Sequence, residues 1–461
     1  MSMGKADSRT WCRRLEFGLK TVTRKEPTMM KFAKRILILL LAIPFFGCAT
    51  DSKEAVKRPG GRSIVIKGGL LIDGTGKAPI PNSVVVIEGG TIKAVGVLGQ
   101  VTIPSRAQII EAKNKIVLPG LIDMHVHYRD WMDQLFISHG VTTVRDLGNN
   151  LDYILRVRKR NQEEGVKKPR IYTSGPFLDG SPPVFAMDTS YPATTPEEAK
   201  AAASKLVNSK VDCFKIQQKM TLPLLEAITE VAKKGKVPVT AHLGDRRLGN
   251  IKAQAAILLG IKGLEHISGI DFLTASQSEL EEIVDMIVSH SVFVNATLIL
   301  DDTLSRLLDP ELKKDPLLKQ VPPREFIWWE RHYGLNSWWT GRHSDRYRAI
   351  LGKKKEFIRM LVKKGGVITA GTDTPVPYVY PGVSLHKELE LLVSAGLTPM
   401  QAVMAATKNA ADLLGHADRL GTLEAGKIAD LQILSANPLE NISNVRSVEM
   451  VLRDGKMIWK K

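Results

Sequence analysis

The run LPGLIDMHVH, residues 118–127, is an apolar stretch that ends in two histidines separated by one residue. In a strand, side chains at i and i+2 share a face, so His125 and His127 project together. Two imidazoles at that spacing form a pincer for a divalent cation. Taken alone, an HxH pair is a weak indication, and its meaning depends on what surrounds it.

On the N-terminal side, residues 62–118 alternate apolar and polar positions with glycine punctuation, as in SIVIKGGLLIDGTG, SVVVIEGGTIKAVG and AQIIEAKNKIVLPG. They read as short strands joined by turns. The stretch 416–461 carries the same signature in TLEAGKIADLQILSANP and VRSVEMVLRDGKMIW. The two β-rich ends therefore suggest one small β-sandwich built from both parts of the chain. Between them, residues 119–415 alternate short apolar runs with longer helical patterns, which argues for βα units and a parallel sheet. Eight candidate strands can be counted: LIDMHVH, VTTVRDLG, IYTSGP, CFKIQQ, VPVTAHL, GLEHIS, VFVNATL and GVITAGTD. The expected fold is α/β, a (β/α)8 TIM barrel, whose site lies at the C-terminal ends of the strands.

Those strand ends carry further polar groups: His242 in VPVTAHLG, His266 in GLEHIS and Asp373 in GVITAGTD. Any one of them could be a satisfied core or loop residue. Five potential ligands, all at barrel strand ends, argue against coincidence. His139, His290, His332, His343 and His416 fall in helical or inserted segments and read as surface or packing residues. His386, in SLHKELELL, is intermediate, close in sequence to Asp373 but at the start of a helix. Lys215 lies in the apolar run VDCFKI, where an uncompensated ammonium is costly to bury.

The run LPGLIDMHVH closely resembles the entry signature of the amidohydrolase superfamily. The likeness extends to GVTTVRDLG, to the TSGP turn, to SLHKELELLVSAGLTPMQAVMAATKNAADLLG and to GKIAD at 426–430, covering residues 62 to 460. The branch it most resembles is imidazolonepropionase-like and includes metal-dependent Xaa-Pro dipeptidases. Binuclear members carry a lysine on the fourth strand whose amine has combined with carbon dioxide, giving a carbamate that bridges two cations about 4 Å apart. Matching positions, the resemblance implies that His125, His127 and Asp373 hold the more buried metal and His242 and His266 the outer one, with N6-carboxylated Lys215 and a hydroxide between them. Imidazole and carboxylate donors suit zinc, with manganese or cobalt as alternatives. Asp373 is then both ligand and proton shuttle. Imidazolonepropionases and many deaminases use one metal and lack the lysine, so Lys215 argues against those activities.

The expected reaction is hydrolysis of an amide bond in a small molecule, a dipeptide of the Xaa-Pro type or a related one. Two alternatives are a lactam, lactone or other cyclic amide hydrolase, and, from another class, a non-catalytic surface binding lipoprotein. Against the last, all six candidate positions are filled. Arg145, Tyr128 and Arg129 lie near the expected mouth, with Arg145-Asp146 equally readable as a structural ion pair. The connection from Leu300 to Lys364 is far longer than an ordinary βα link and holds Trp328, Trp329, Trp338 and Trp339, as a lid or as packing for the insert.

The formal charge of +17 would suggest nucleic acid if it formed a stripe, yet residues 1–58 hold 13 Lys/Arg against 5 Asp/Glu, and no recognition module appears. From Met30 the chain runs through Lys31, Lys34 and Arg35 into an apolar stretch from Ile36 to Phe46, then Gly47-Cys48-Ala49. This is a secretory signal over residues 30–48, too short to span a bilayer. Phe-Phe-Gly-Cys resembles a bacterial lipobox, with Phe45 where Leu is usual, which implies lipidation at Cys48 and a cell-envelope location; the alternative is an ordinary signal peptide or an uncleaved anchor. Ala49 after the cysteine resembles outer-membrane sorting in a Gram-negative source. Residues 1–29 form an upstream extension that ends at a second start, Met29-Met30, and 49–61 a polar linker. The mature chain then holds only Cys48 and Cys213, and with Cys48 lipidated no disulfide framework is available.

Overall fold

Apolar, β-branched segments too short to cover themselves pair edge to edge, and here eight of them do so in parallel. The computed structural model describes residues 63–163, 165–244, 251–333 and 341–461, with the side chains of 330–333 and 341–343 left aside. The signal run, Cys48 and residues 1–62 as a whole lie outside the described residues, as do Trp338 and Trp339.

The barrel strands are Leu121–Val126, Val141–Asp146, a bent third strand, Phe214–Ile216, Val239–Ala241, Gly263–Glu265, Phe293–Asn295 and Val367–Thr369, so each of the eight segments read from the sequence holds a strand. The third strand bends at Ser174-Gly175-Pro176. Its first half, Arg170–Thr173, pairs with strand two, and its second half, Phe177–Gly180, pairs with strand four. Strand eight closes on strand one through the parallel bridge Val126–Thr374 and the hydrogen bonds Met124 N to Ala370 O (3.0 Å) and Asp373 N to His125 O (2.8 Å). The result is a TIM barrel, with a further strand, Ser190–Ala193, alongside the third.

Both β-rich ends of the chain enter one eight-stranded sheet. Its order is Lys456–Lys460, Val448–Arg453, Leu431–Leu434, Ile116–Pro119, Ile64–Leu71, Ile80–Glu88 and Thr91–Val97, with Gln108–Glu111 added beside Ile64–Leu71. Ile66, Val85, Val117, Leu431 and Leu452 bury one face of it. Ile116–Pro119 sits in the middle of this sheet and continues through Gly120 into barrel strand one, so the strand that holds His125 and leads into His127 is anchored from behind.

The long connection after strand seven is helical: Leu298–Ser305, Pro323–Tyr333 and Gly341–Lys363, with two short 3-10 turns. Trp329 is fully buried and donates from its indole N–H to Pro375 O at 2.7 Å. Trp131, after strand one, donates to Glu325 at 3.3 Å. The insert thus packs between the loops that follow strands eight and one, on the face where the strands end.

Candidate metal centre

The alternation of side chains along strand one points Asp123 and His125 into the barrel, with His127 just past its end. Strand eight delivers Asp373 to the same place, in a left-handed backbone conformation with φ 65°. His127 Nε2 lies 3.0 Å and His125 Nε2 3.4 Å from Asp373 Oδ1, and His266 Nε2 lies 3.9 Å from Oδ2. His266 in turn stands 4.5 Å from His125 and 4.3 Å from His242, ring centre to ring centre. Lys215 Nζ is 3.4 Å from His125 Nε2. All six residues singled out in the sequence therefore converge on one spot at the C-terminal end of the barrel.

The outward nitrogens of three of these rings are occupied. His125 Nδ1 meets Glu265 at 2.7 Å, His127 Nδ1 meets Gly148 O at 3.3 Å and His266 Nδ1 meets the Thr297 hydroxyl at 2.7 Å. With Nδ1 tied back, each ring turns Nε2 toward the shared space, the orientation that protein partners impose on metal-binding imidazoles. Burial, and after it the neighbouring charges, hold His125, His242 and His266 well below the ordinary histidine range. They stay neutral, as ligation requires. One atom from each of His125, His127 and Asp373 falls within 4.8 Å of the others. By donor type, spacing and ring orientation this group fits a divalent cation.

Lys215 is 1% exposed, and burial pushes its amine down to about 8. The free base is the nucleophilic form of an amine, and its share is larger here than for an ordinary lysine. His242 is held differently from the other rings, with Gln218 Nε2 at 3.0 Å from its Nε2.

The model of the amidohydrolase family matches residues 116–458, the span that holds the barrel and this histidine-aspartate group. The chain belongs to the amidohydrolase family. Its members are hydrolases that act on carbon–nitrogen bonds. This amidohydrolase is 25% identical over 427 residues to the imidazolonepropionase of Geobacillus kaustophilus, covering 82% of this chain and 90% of that enzyme. It is 37% identical to the dihydroorotase of Ligilactobacillus salivarius, but over 106 residues, a fifth (20%) of this chain and a quarter (25%) of that one. Among solved structures, a Bifidobacterium longum protein provisionally assigned as a prolidase aligns with TM-score 0.71 and 25% identity, covering 87% of this chain and 96% of its own. A Xaa-Pro dipeptidase with bound methionine in its active site shares the fold at TM-score 0.67 and 22% identity, over 87% of this chain and all (100%) of that one.

Other polar residues of this amidohydrolase take structural roles. Arg145 does not pair with Asp146. It is buried, reaching Glu265 at 2.6 Å and Met124 O at 2.8 Å. Asp146 instead accepts from Tyr128 N (2.8 Å), Asn149 (2.9 Å) and Thr173 (3.1 Å). Tyr128 is fully buried and bonded to Asp133, so of the three mouth residues only Arg129 stays half-exposed. His386 is buried away from the site, donating to His139 O at 2.8 Å. Sequence reasoning missed Glu265, which accepts from Arg145 and Thr240 while orienting His125. A carboxylate inside the apolar run before His266 was the available signal, because such a group is buried only when partnered.

Proposed function

We propose that this amidohydrolase is a binuclear metal-dependent dipeptidase that cleaves Xaa-Pro or related dipeptides, with carboxylated Lys215 joining the two ion positions. The observation that carries the reading is a buried lysine at the histidine cluster: Lys215 Nζ lies 3.4 Å from His125 Nε2, and its charge also acts on His242 and His266. A single-ion centre built from His125, His127 and Asp373 needs no lysine there. Divalent cations, zinc first among them, supply Lewis acidity toward water and toward a scissile carbonyl. Asp373 takes the proton from the attacking water and passes it to the departing nitrogen, so that water and amide become acid and amine. The likeness to structures described as prolidases and dipeptidases supports the substrate class.

Elemental analysis of the chain from Asp51 onward, with a dipeptide panel on the same sample, tests this. About two metals per chain and release of free amino acids are the expected result. One metal or none in protein never exposed to chelator removes the bridging role. Lys215→Ala is expected to lose most metal and activity and to recover part of both with short carboxylic acids, and full activity in that variant would overturn the assignment. The dihydroorotase and imidazolonepropionase relatives favour a second reading, opening of a cyclic amide by the same residues. Ring opening without amino-acid release on the panel would select it.

From the lipobox-like run Phe45-Phe46-Gly47-Cys48 we further propose that the enzyme is held in the cell envelope, tethered through lipidated Cys48. Cys48→Ala is expected to shift the protein from the membrane to the soluble fraction. Unchanged membrane recovery would remove the anchor.

A further inference from the structure

Thr297 follows barrel strand seven, is fully buried and holds φ at 45°. It occupies the N-cap position of the helix Leu298–Ser305, where a threonine hydroxyl ordinarily accepts from the first free backbone N–H groups. Here it does not cap. Its oxygen lies 2.8 Å from Ala296 O and 2.7 Å from His266 Nδ1. A hydroxyl has one proton, and a carbonyl can only accept, so that proton goes to Ala296. The oxygen then accepts from His266, which places the imidazole proton on Nδ1 and leaves the Nε2 lone pair facing Asp373.

The helix end that Thr297 leaves open is served from elsewhere. Glu388, fully buried on the helix Val383–Ser394, accepts from Ile299 N at 2.7 Å through Oε2, while Oε1 is buried with no hydrogen-bond partner among the described residues. Two residues further, Asp301 binds Lys354 Nζ at 2.6 Å, and Lys354 belongs to the long insert helix Gly341–Lys363. Both members of that pair are buried.

We infer that Glu388, Asp301 and Lys354 are positioning residues that hold the Leu298–Ser305 helix so that Thr297 fixes His266 in its ligating tautomer, making the long insert a brace for one metal ligand. This rests on the binuclear reading above. Groups that orient a ligand from behind typically change metal affinity 10- to 100-fold when removed.

The test is competition of zinc against a chelator, with metal content per chain and circular dichroism, on the wild type, Thr297→Val, Thr297→Ser, Glu388→Leu and Glu388→Gln. Valine keeps the shape and removes the hydroxyl. Glutamine keeps an oxygen for Ile299 N. Thr297→Val and Glu388→Leu are expected to bind the second zinc at least about tenfold more weakly with the first unchanged, and Thr297→Ser and Glu388→Gln to stay near the wild type. Wild-type affinity for both zincs in folded Thr297→Val overturns the inference, and that variant decides should Glu388→Leu not fold. A wild type that binds fewer than two zincs fails the binuclear reading instead, which keeps the two failures apart.

Discussion

A Cβ on residue 148 would stand 2.1 Å from Phe177 Cζ, and Gly148 already sits at φ +142°, where side chains are strained. Its carbonyl is the group that holds His127 Nδ1. Phe177 cannot retreat freely, because Phe185 stacks on it at 5.0 Å and His127 lies 5.7 Å from it on another side. Gly148→Ala is therefore expected to destabilise the fold by about 1–3 kcal/mol and to loosen His127. Thermal melts and metal content would check it, and a variant with unchanged metal affinity would mean that the carbonyl contact does not orient the ring. The two kinds of residue in this contact differ in legibility. His125 and His127 could be read from the sequence because their spacing is local and strand geometry alone puts them on one side. Gly148 and Thr297 could not, because each acts through a partner supplied by a distant segment, and nothing in local periodicity names that partner; Glu265 stands out in its apolar run as a carboxylate that needs a partner, but the run does not say which.

At the level of elements, the eight strands were legible since each is a short apolar run that ends where its polar group must emerge. The long insert was not, because the same tryptophans suit a lid or a packed cover. Trp329 itself is packed: it is fully buried and bonded to Pro375, two residues beyond Asp373. Trp329→Ala should cost about 3–5 kcal/mol, the usual loss for a buried aromatic. Because the cavity opens against the Asp373 loop, kcat should fall with it. Chemical denaturation together with steady-state kinetics would separate the two effects, and normal kcat in the folded variant would mean the insert does not support that loop. The helix Val383–Ser394 also carries His386, which burial pushes down to about 3 despite its bond to His139 O, with His139 and Arg446 the charged neighbours. Its folded value lies below the unfolded one of about 6.5, so the unfolded chain binds the extra proton. That contribution is fully present above pH 6.5 and is lost as pH falls toward 3. His386→Leu should remove up to about 1.4 kcal/mol per pH unit from the slope of stability over that window, and an unchanged slope would mean that the imidazole protonates in the folded protein.

For the whole molecule, the question is what keeps the barrel and the eight-stranded sheet in register. Arg170 opens barrel strand three and is buried, bonded to Asp430 and, at 2.8 Å, to Asp454 of the last hairpin. Asp430 also accepts from Asp454 N at 2.8 Å. The GKIAD motif was visible in the sequence, yet its aspartate gains meaning only beside an arginine 260 positions earlier. Asp430→Ala leaves that guanidinium buried with half of its compensation, a loss of about 3–5 kcal/mol that salt would do little to screen. A deeper dependence follows from strand order. Ile116–Pro119 lies between Leu431–Leu434 and Ile64–Leu71, so both flanks are needed to satisfy its backbone. That strand runs directly into His125 and His127. A chain ended at residue 415 exposes the edge of Ile116–Pro119 and uncovers Val117 and Leu118, both fully buried in the whole protein. It should therefore aggregate or lose metal, although every proposed ligand is still present. Recovery of soluble, fully metallated protein after that truncation would mean that the barrel positions its first strand unaided; recovery only when 416–461 is co-expressed as a separate fragment would place the dependence on strand pairing itself.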